Sequence, residues 1–308
     1  MINWLRALAL VATSSLLAAC GGGDDHPPSA LGVAQSNPGF SILVEAVNAA
    51  GLSDTLNGPG PITVFAPTDA AFAALLAELG TTKEALLANK ALLTAVLTYH
   101  VIPAKVERAQ VSPGQPITTA QGGIFKIDTG ASGLTITDGR NRSARITATD
   151  LAASNGVVHV IDRVLLPADK TVVQTAQALP GFGLLVEAVI AADLAGALSA
   201  PGPFTVFAPT DAAFAALLAE LGVTKEALFA DKALLTQVLT YHVVPGRVLR
   251  AQVPVGTPVA TLQGQTFTVD SGLAITDQRG RRAAITTTDV LATNGVIHVI
   301  DRVILPRP

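Results

Sequence analysis

The sequence predicts an α+β chain in which one domain is built twice. Three observations lead there. The block TVFAPTDAAFAALLAELG runs from Thr63 to Gly80 and recurs letter for letter from Thr205 to Gly222. Around it, PGF at 38–40 returns at 180–182, LTYHV at 97–101 returns at 239–243, and NGVVHVIDRVLLP at 155–167 returns as NGVIHVIDRVILP at 294–306. Within each copy, helix-periodic segments come first and short β-type runs follow. The repeat has the length of a domain and not of a solenoid unit. With 308 residues, 49% of them apolar and 14% charged, the chain has material for two packed cores.

Taken in order, Phe40, Leu43, Val44 and Val47 fall at the spacing of an amphipathic helix. Ile62–Ala66 is a short β-rich run, and Pro67 is expected to end its ladder. Thr68 is placed to cap the next helix, with Asp69 at its positive end. Phe72, Leu75, Leu76 and Leu79 form its apolar stripe, and Gly80 its stop. Thr81-Thr82-Lys83-Glu84 has capping-box spacing. Its counterpart begins with Val223, so that box is expected to be dispensable or shifted. Asn89, replaced by Asp231 in the second copy, caps a helix over Lys90–Thr98. After Tyr99-His100 the pattern changes to short strands with Gly, Pro and Asp turns. Asn155-Gly156 reads as a hairpin turn, and Val157–Leu166 as a strand covered on both faces.

The N-terminus reads MINWLRALALVATSSLLAAC, then GGGDDHPPS. Its apolar run falls short of the roughly 20 residues of a bilayer span. Leu17-Ala18-Ala19-Cys20 resembles the bacterial lipobox, which implies cleavage after residue 19 and a diacylglyceride on the Cys20 thiol; the alternative is a plain secretory signal with an incidental cysteine. Cys20 is the one cysteine, so no intrachain disulfide forms. Acylation there gives a stable anchor. Gly21, in place of Asp, fits export onward to the outer membrane of a Gram-negative cell. The expected organisation is therefore a signal peptide at 1–19, a flexible tether at 20–35, domains at 36–167 and 178–306, and a linker at 168–177.

The net charge of -3 and an aromatic content of 4% argue against a nucleic-acid partner. Of the 5 histidines, His26 lies in the tether and His100, His159, His242 and His298 form one pair per domain. No HxH, HxxxH or cysteine partner stands near them, so no metal is expected. Thr68, Asp69 and His100, with Thr210, Asp211 and His242 in the second copy, could be arranged as hydroxyl, carboxylate and imidazole. No G-x-S-x-G or HExxH accompanies them. The better reading is a structural polar network in which Asp69 or a backbone carbonyl partners His100. Arg140, Arg142 and Arg145, and likewise Arg279, Arg281 and Arg282, follow the TITD and AITD runs. They read as solvated turns or as a small contact patch for anionic groups.

TVFAPTDAAF, the Tyr99-His100 and Tyr241-His242 pairs, and the Asn155–Pro167 and Asn294–Pro306 segments resemble, in this order, the motifs of the fasciclin-like domain. The resemblance covers nearly all of 36–167 and 178–306. It implies two tandem domains, each a wedge-like β-sandwich decorated by helices, with no enzymatic activity and no cofactor. It also implies an exported, surface- or envelope-anchored protein of adhesion, extracellular matrix and biofilm contact, whose partners are matrix proteins or polysaccharides. Thr68, Asp69, Tyr99, His100, Asn155, His159 and their second-copy equivalents are the motif residues. No RGD occurs, so recognition through that tripeptide is not available. The competing readings are a carrier of an apolar ligand, in the periplasm or at the surface, and a hydrolase.

Overall fold

The computed structural model describes residues 27–131 and 133–308. The expected leader, Cys20 and the first part of the tether lie outside them. The first half runs α1 (Ala30–Gln35), α2 (Ser41–Ala50), α3 (Ser53–Asn57), β1 (Ile62–Pro67), α4 (Asp69–Leu79), α5 (Lys83–Ala88), α6 (Lys90–Tyr99), β2 (Val101–Ile102), β3 (Pro116–Thr118), β4 (Ile124–Gly130), β5 (Gly133–Thr137), β6 (Ser143–Ala153) and β7 (Gly156–Ile161). The second half repeats this as α7 (Val172–Ala178), α8 (Gly183–Ala191), α9 (Ala195–Ser199), β8 (Phe204–Pro209), α10 (Asp211–Leu221), α11 (Lys225–Ala230) and α12 (Lys232–Tyr241). It continues with β9 (Val243–Pro245), β10 (Pro258–Ala260), β11 (Thr266–Val269), β12 (Ala274–Thr276), β13 (Arg282–Ala292) and β14 (Gly295–Ile300).

Each half is α+β, with one 7-stranded sheet in the order β2-β1-β7-β6-β5-β4-β3 or its equivalent. β1 and β7 pair in parallel; the other neighbours are antiparallel. The long β6 joins the two sides of the wedge: its start pairs with β5, and its remainder pairs with β7 through bulged registers. The sheet nearly closes, because Ala120 N–H beyond β3 donates to Val101 O on β2 at 2.8 Å. Alternation along β1 divides the core. Val64 faces α2, α4 and α6 with Phe40, Val47, Phe72 and Leu93, whereas Phe65 faces the sheet interior with Tyr99, Phe125, Ile127 and Ile136. Val158 and Ile161 on β7 divide the same way, which makes this strand apolar on both faces as its sequence implies.

The block from Thr63 folds as read. Thr68 Oγ1 accepts from Ala71 N at 3.3 Å, and Gly80 closes α4 with φ 60°, a left-handed conformation that a Cβ disfavours. Pro67 ends the β1 ladder as expected, as its last paired residue, opposite Ile161. Two local expectations change. The cap of α5 is Thr82, not Thr81; Thr224 caps α11 identically, so the second copy has lost nothing. α6 extends to Tyr99.

The domain limits also shift. Residues 30–35, expected in a flexible tether, form α1, whose Ala30, Leu31 and Ala34 are buried in the first core. The expected linker contains α7, whose Val172 and Val173 are buried in the second. The cause is a side chain at the far end of each domain. Asn155 Oδ1 accepts from Ala30 N, and Asn294 Oδ1 from Val172 N, both at 2.9 Å, which fixes the start of each helix.

The two domains dock head to tail. Lys126 Nζ on β4 meets Asp289 Oδ2 on β13 at 2.8 Å; the side chains are 13% and 2% exposed. Asn141 exchanges two hydrogen bonds with the Leu291 backbone, at 2.6 and 3.1 Å. Ile124 packs among Leu249, Leu291 and Val296. The repeat supplies a control, because Lys126, Ile124 and Asn141 become Thr268, Thr266 and Gly280 on the second domain's free side, and Leu249 becomes Glu107 on the first domain's. The contact is written into the junction alone, as a capped repeat requires. Burial disfavours charge on Lys126, but hydrogen bonding and charge from Asp289, joined by Asp128, outweigh it and hold its pKa above the usual lysine value. Lys126→Ala is expected to weaken docking by about 2–3 kcal/mol, since it leaves a buried carboxylate unpaired. Calorimetry should then resolve separate unfolding transitions; an unchanged melt would show that the ion pair does not couple the domains.

Candidate functional site

The motif residues sit where the helical layer meets the sheet. His100 ends α6, the position that places its ring between that helix and the segment after β7. Its Nδ1–H donates to Val96 O at 2.7 Å, one turn back, and its Nε2 accepts from Leu165 N at 2.9 Å. A backbone N–H can only donate, so Nε2 is the unprotonated nitrogen and the ring is neutral. His242 repeats the pattern with Val238 O at 2.7 Å and Ile304 N at 3.1 Å. Desolvation pulls both rings down to about 4, more than the carbonyl bonds raise them. Tyr99 and Tyr241 point into the sheet interior, where each hydroxyl donates to a β-strand carbonyl, Ile124 O and Thr266 O. Burial raises both phenols, Tyr241 to about 12.

His159 on β7 does not join His100. Its Nδ1 accepts from Asp150 N at 3.2 Å and its Nε2–H donates to Val106 O at 2.9 Å. His298 does the same with Asp289 N and Val248 O, and burial lowers its pKa. Asp69 does not reach His100 either. It binds Ser41 and the Ile42 N–H, at 2.8 Å for the latter, and so ties α4 to the start of α2; Asp211 accepts from Leu184 N at 2.7 Å to the same end. Of the two partners expected for His100, the structure contains the backbone carbonyl. Thr68 and Thr210 cap α4 and α10. Asn155 Nδ2 donates to Leu56 O and Gly58 O, each at 2.8 Å, and Asn294 Nδ2 to Leu198 O and Ala200 O. The Asn155 carbonyl passes so close to Gly60 that any Cβ there would collide with it. The imagined hydroxyl, carboxylate and imidazole set is therefore dispersed over separate, saturated contacts.

The expected arginine patch is also dispersed. Arg142 is 13% exposed and binds Asp138, Glu78 and Val164 O; Arg281 is held likewise by Asp277, Glu220 and Val303 O. Arg140 pairs with Asp169, Arg145 with Asp162 and Arg282 with Asp270, while Arg279 donates to Pro306 O. Each of the six has an acceptor within the chain, while the Arg145 and Arg282 side chains are also 66% and 65% exposed. The residues missed here are Asp138 and Asp277. Asp138 is 1% exposed and accepts from Arg140 N, Arg142 N, the Arg142 guanidinium and Leu166 N. The signal was present: an Asp closes both TITD and AITD, with an arginine four residues on.

No group of three or more His, Cys, Asp or Glu side chains among the described residues is arranged to hold a metal. Beneath each sheet lies an apolar void, one lined by Val189, Leu239 and Ile297 and one by Leu43, Val47 and Leu97, each of about 40 Å³. Ligand pockets run to roughly 300–1,000 Å³. These voids do not hold a lipid or pigment, which removes the main structural support for a carrier.

Comparison with known proteins agrees with the geometry. The Fasciclin domain family model matches twice, over residues 38–167 and 180–306. Protein sll1483 of Synechocystis sp. is 48% identical over 150 residues, which cover 48% of this chain and 79% of that protein. The transforming growth factor-beta-induced protein ig-h3 of Sus scrofa is 31% identical over 257 residues, which cover 83% of this chain but 36% of ig-h3. This chain thus corresponds to a minor part of that relative's length. A solved FAS1 domain pair from the insect cell adhesion molecule Fasciclin I matches at 18% identity with a TM-score of 0.41, covering 88% of this chain and 98% of that one. Two family matches, one on each half of a doubled α+β architecture, show that the chain belongs to the fasciclin domain family.

Proposed function

We propose that this chain is a lipid-anchored, non-enzymatic adhesion module of the bacterial envelope, which presents two docked fasciclin domains to matrix polysaccharide or protein. The observation that carries the reading is the saturation of the motif. Both ring nitrogens of His100, His159, His242 and His298 are engaged by backbone groups, and Asp69 and Asp211 hold helix starts. A general base needs a nitrogen or carboxylate free to take a proton from substrate, and these groups are occupied in building the fold. The Leu17–Cys20 tetrapeptide supports the anchor, and the junction between the domains supports a fixed geometry for two binding surfaces.

The test compares attachment of the producing cells to a polysaccharide-coated surface with and without the chain. Removing the chain is expected to reduce attachment, and the full chain to restore it. Cys20→Ala is expected to release the protein from the membrane fraction and to leave attachment low. Attachment unaffected by removal would contradict the adhesive reading. Retention of the Cys20→Ala protein in the membrane would contradict the lipid anchor.

A further inference from the structure

The second domain carries a cation that its repeat partner would lead one to expect paired. In the first domain Lys105 binds Glu107 at 2.8 Å. The matching residues of the second domain are Arg247 and Leu249, and Leu249 faces Ile124 across the junction. Arg247 has lost its carboxylate. Its Nε is buried with no acceptor among the described residues, and its Nη2 reaches the Thr293 carbonyl only at 3.5 Å. Burial lowers its pKa. A guanidinium stays protonated at any ordinary pH, so a buried N–H without an acceptor is a standing cost.

Arg247 also stands where two clefts meet. One, of about 330 Å³, lies between the domains and includes Gln121, Gly123 and Thr293 in its wall. The other, of about 470 Å³, lies on the second domain and includes Thr171, Ser199 and Thr293. Among the described residues, Arg247 is the one charged residue lining either cleft. The other side-chain polar groups are neutral hydroxyls and amides. Gln121, Ser199 and Thr293 are exposed; Gln121 Oε1 accepts from Gly123 N, and its Nε2 has no acceptor among the described residues.

We propose that Arg247 and the two clefts bind a uronate, a hydroxylated sugar ring that bears one carboxylate. The two terminal Nη groups of a guanidinium offer parallel donors to a carboxylate. A single positive centre balances one carboxylate; a phosphate dianion would be left half neutralised. The neutral donors around Arg247 suit ring hydroxyls, and the volumes fall in the range of ligand sites. The uronate belongs either to a free sugar acid or to a matrix polysaccharide, and only its bearing on adhesion rests on the function proposed above.

The purified full chain in detergent is titrated with galacturonate, with neutral galactose and with a galacturonate oligomer, with binding read by calorimetry. Galacturonate is expected to bind at least about tenfold more tightly than galactose. Arg247→Gln should remove that preference with the melt unchanged, and Arg247→Lys should keep part of it. If Arg247→Gln disturbs the fold, Gln121→Leu and Thr293→Val, at exposed positions, should still weaken galacturonate binding. Binding of the monomer alone assigns the site to a free sugar acid, and binding of both assigns it to a polysaccharide; either upholds the proposal. Equal binding of galacturonate and galactose, no binding of either, or galacturonate binding indifferent to Arg247→Gln would overturn it. Uronate binding without any effect of the chain on cell attachment would uphold this site and sink the adhesive function; attachment without uronate binding would do the reverse.

Discussion

Asp138→Ala is expected to destabilise the first domain by about 3–5 kcal/mol, the range seen when one member of a buried ion pair is removed. The Asp138 carboxylate is 1% exposed and sits between the turn that precedes β6 and the segment after β7. One oxygen accepts from the Arg140 and Arg142 N–H groups and shapes the turn; the other accepts from the Arg142 guanidinium and Leu166 N. Without it, three backbone N–H groups lose this acceptor and the Arg142 guanidinium keeps Glu78 and the Val164 carbonyl. Asp138→Asn keeps the shape but loses the charge, so a smaller loss is expected. Asp277→Ala should act alike on the second domain, where Asp277 accepts from Arg281 and Leu305 N. Chemical denaturation followed by circular dichroism measures both. A loss under about 1 kcal/mol, the level of a surface ion pair, would show that the network does not hold the wedge together.

The second large effect is a loss of stability in mild acid. His100 and His242 are neutral in the fold, with pKa values lowered to about 4 by burial. An unfolded histidine titrates near 6.5. Below that pH the unfolded chain takes up protons that the folded chain refuses until about pH 4. Stability contributed by the neutral rings is therefore complete above pH 6.5 and is lost as pH falls from 6.5 toward 4. Between pH 7 and pH 5, above the range where carboxylates protonate, the loss is about 2 kcal/mol per ring. His298 is shifted in the same direction and adds to the slope. Urea melts at the two pH values read the effect. His100→Gln should lower stability at pH 7 and flatten the first domain's share of the slope. Stability equal at pH 7 and pH 5 would contradict the neutral, doubly bonded rings.

Much of this architecture was legible in the chain. The Thr63–Gly80 block specifies a strand, a cap, a helix and a left-handed stop through local chemistry, and these formed as read. What local pattern cannot carry is the destination of a polar side chain. Asp69 stands beside a helix start and completes a second one from across the fold, a contact fixed by packing of α2 on α4. The arginines after TITD and AITD look solvated because their acceptors, Glu78, Asp162 and the carbonyls after β7, lie far away in sequence. The helices α1 and α7 are each too short to show a period, so their sequences resemble a tether and a linker. Their order depends on Asn155 and Asn294, whose role becomes visible only once β7 lies beside β1. The junction follows the same logic. Lys126 carries no mark in the sequence beyond differing from Thr268 in the other copy, and Asp289 carries none at all, since Asp150 stands in its place in the first domain.

The proposed function requires that the two domains be presented outward to a partner surface. Protease shaving of intact producing cells, followed by blotting for both domains, tests it most directly. The account predicts that both domains are shaved from intact cells, and that attachment to polysaccharide falls with them. Domains that survive on intact cells and are cleaved only after the envelope is permeabilised would contradict it.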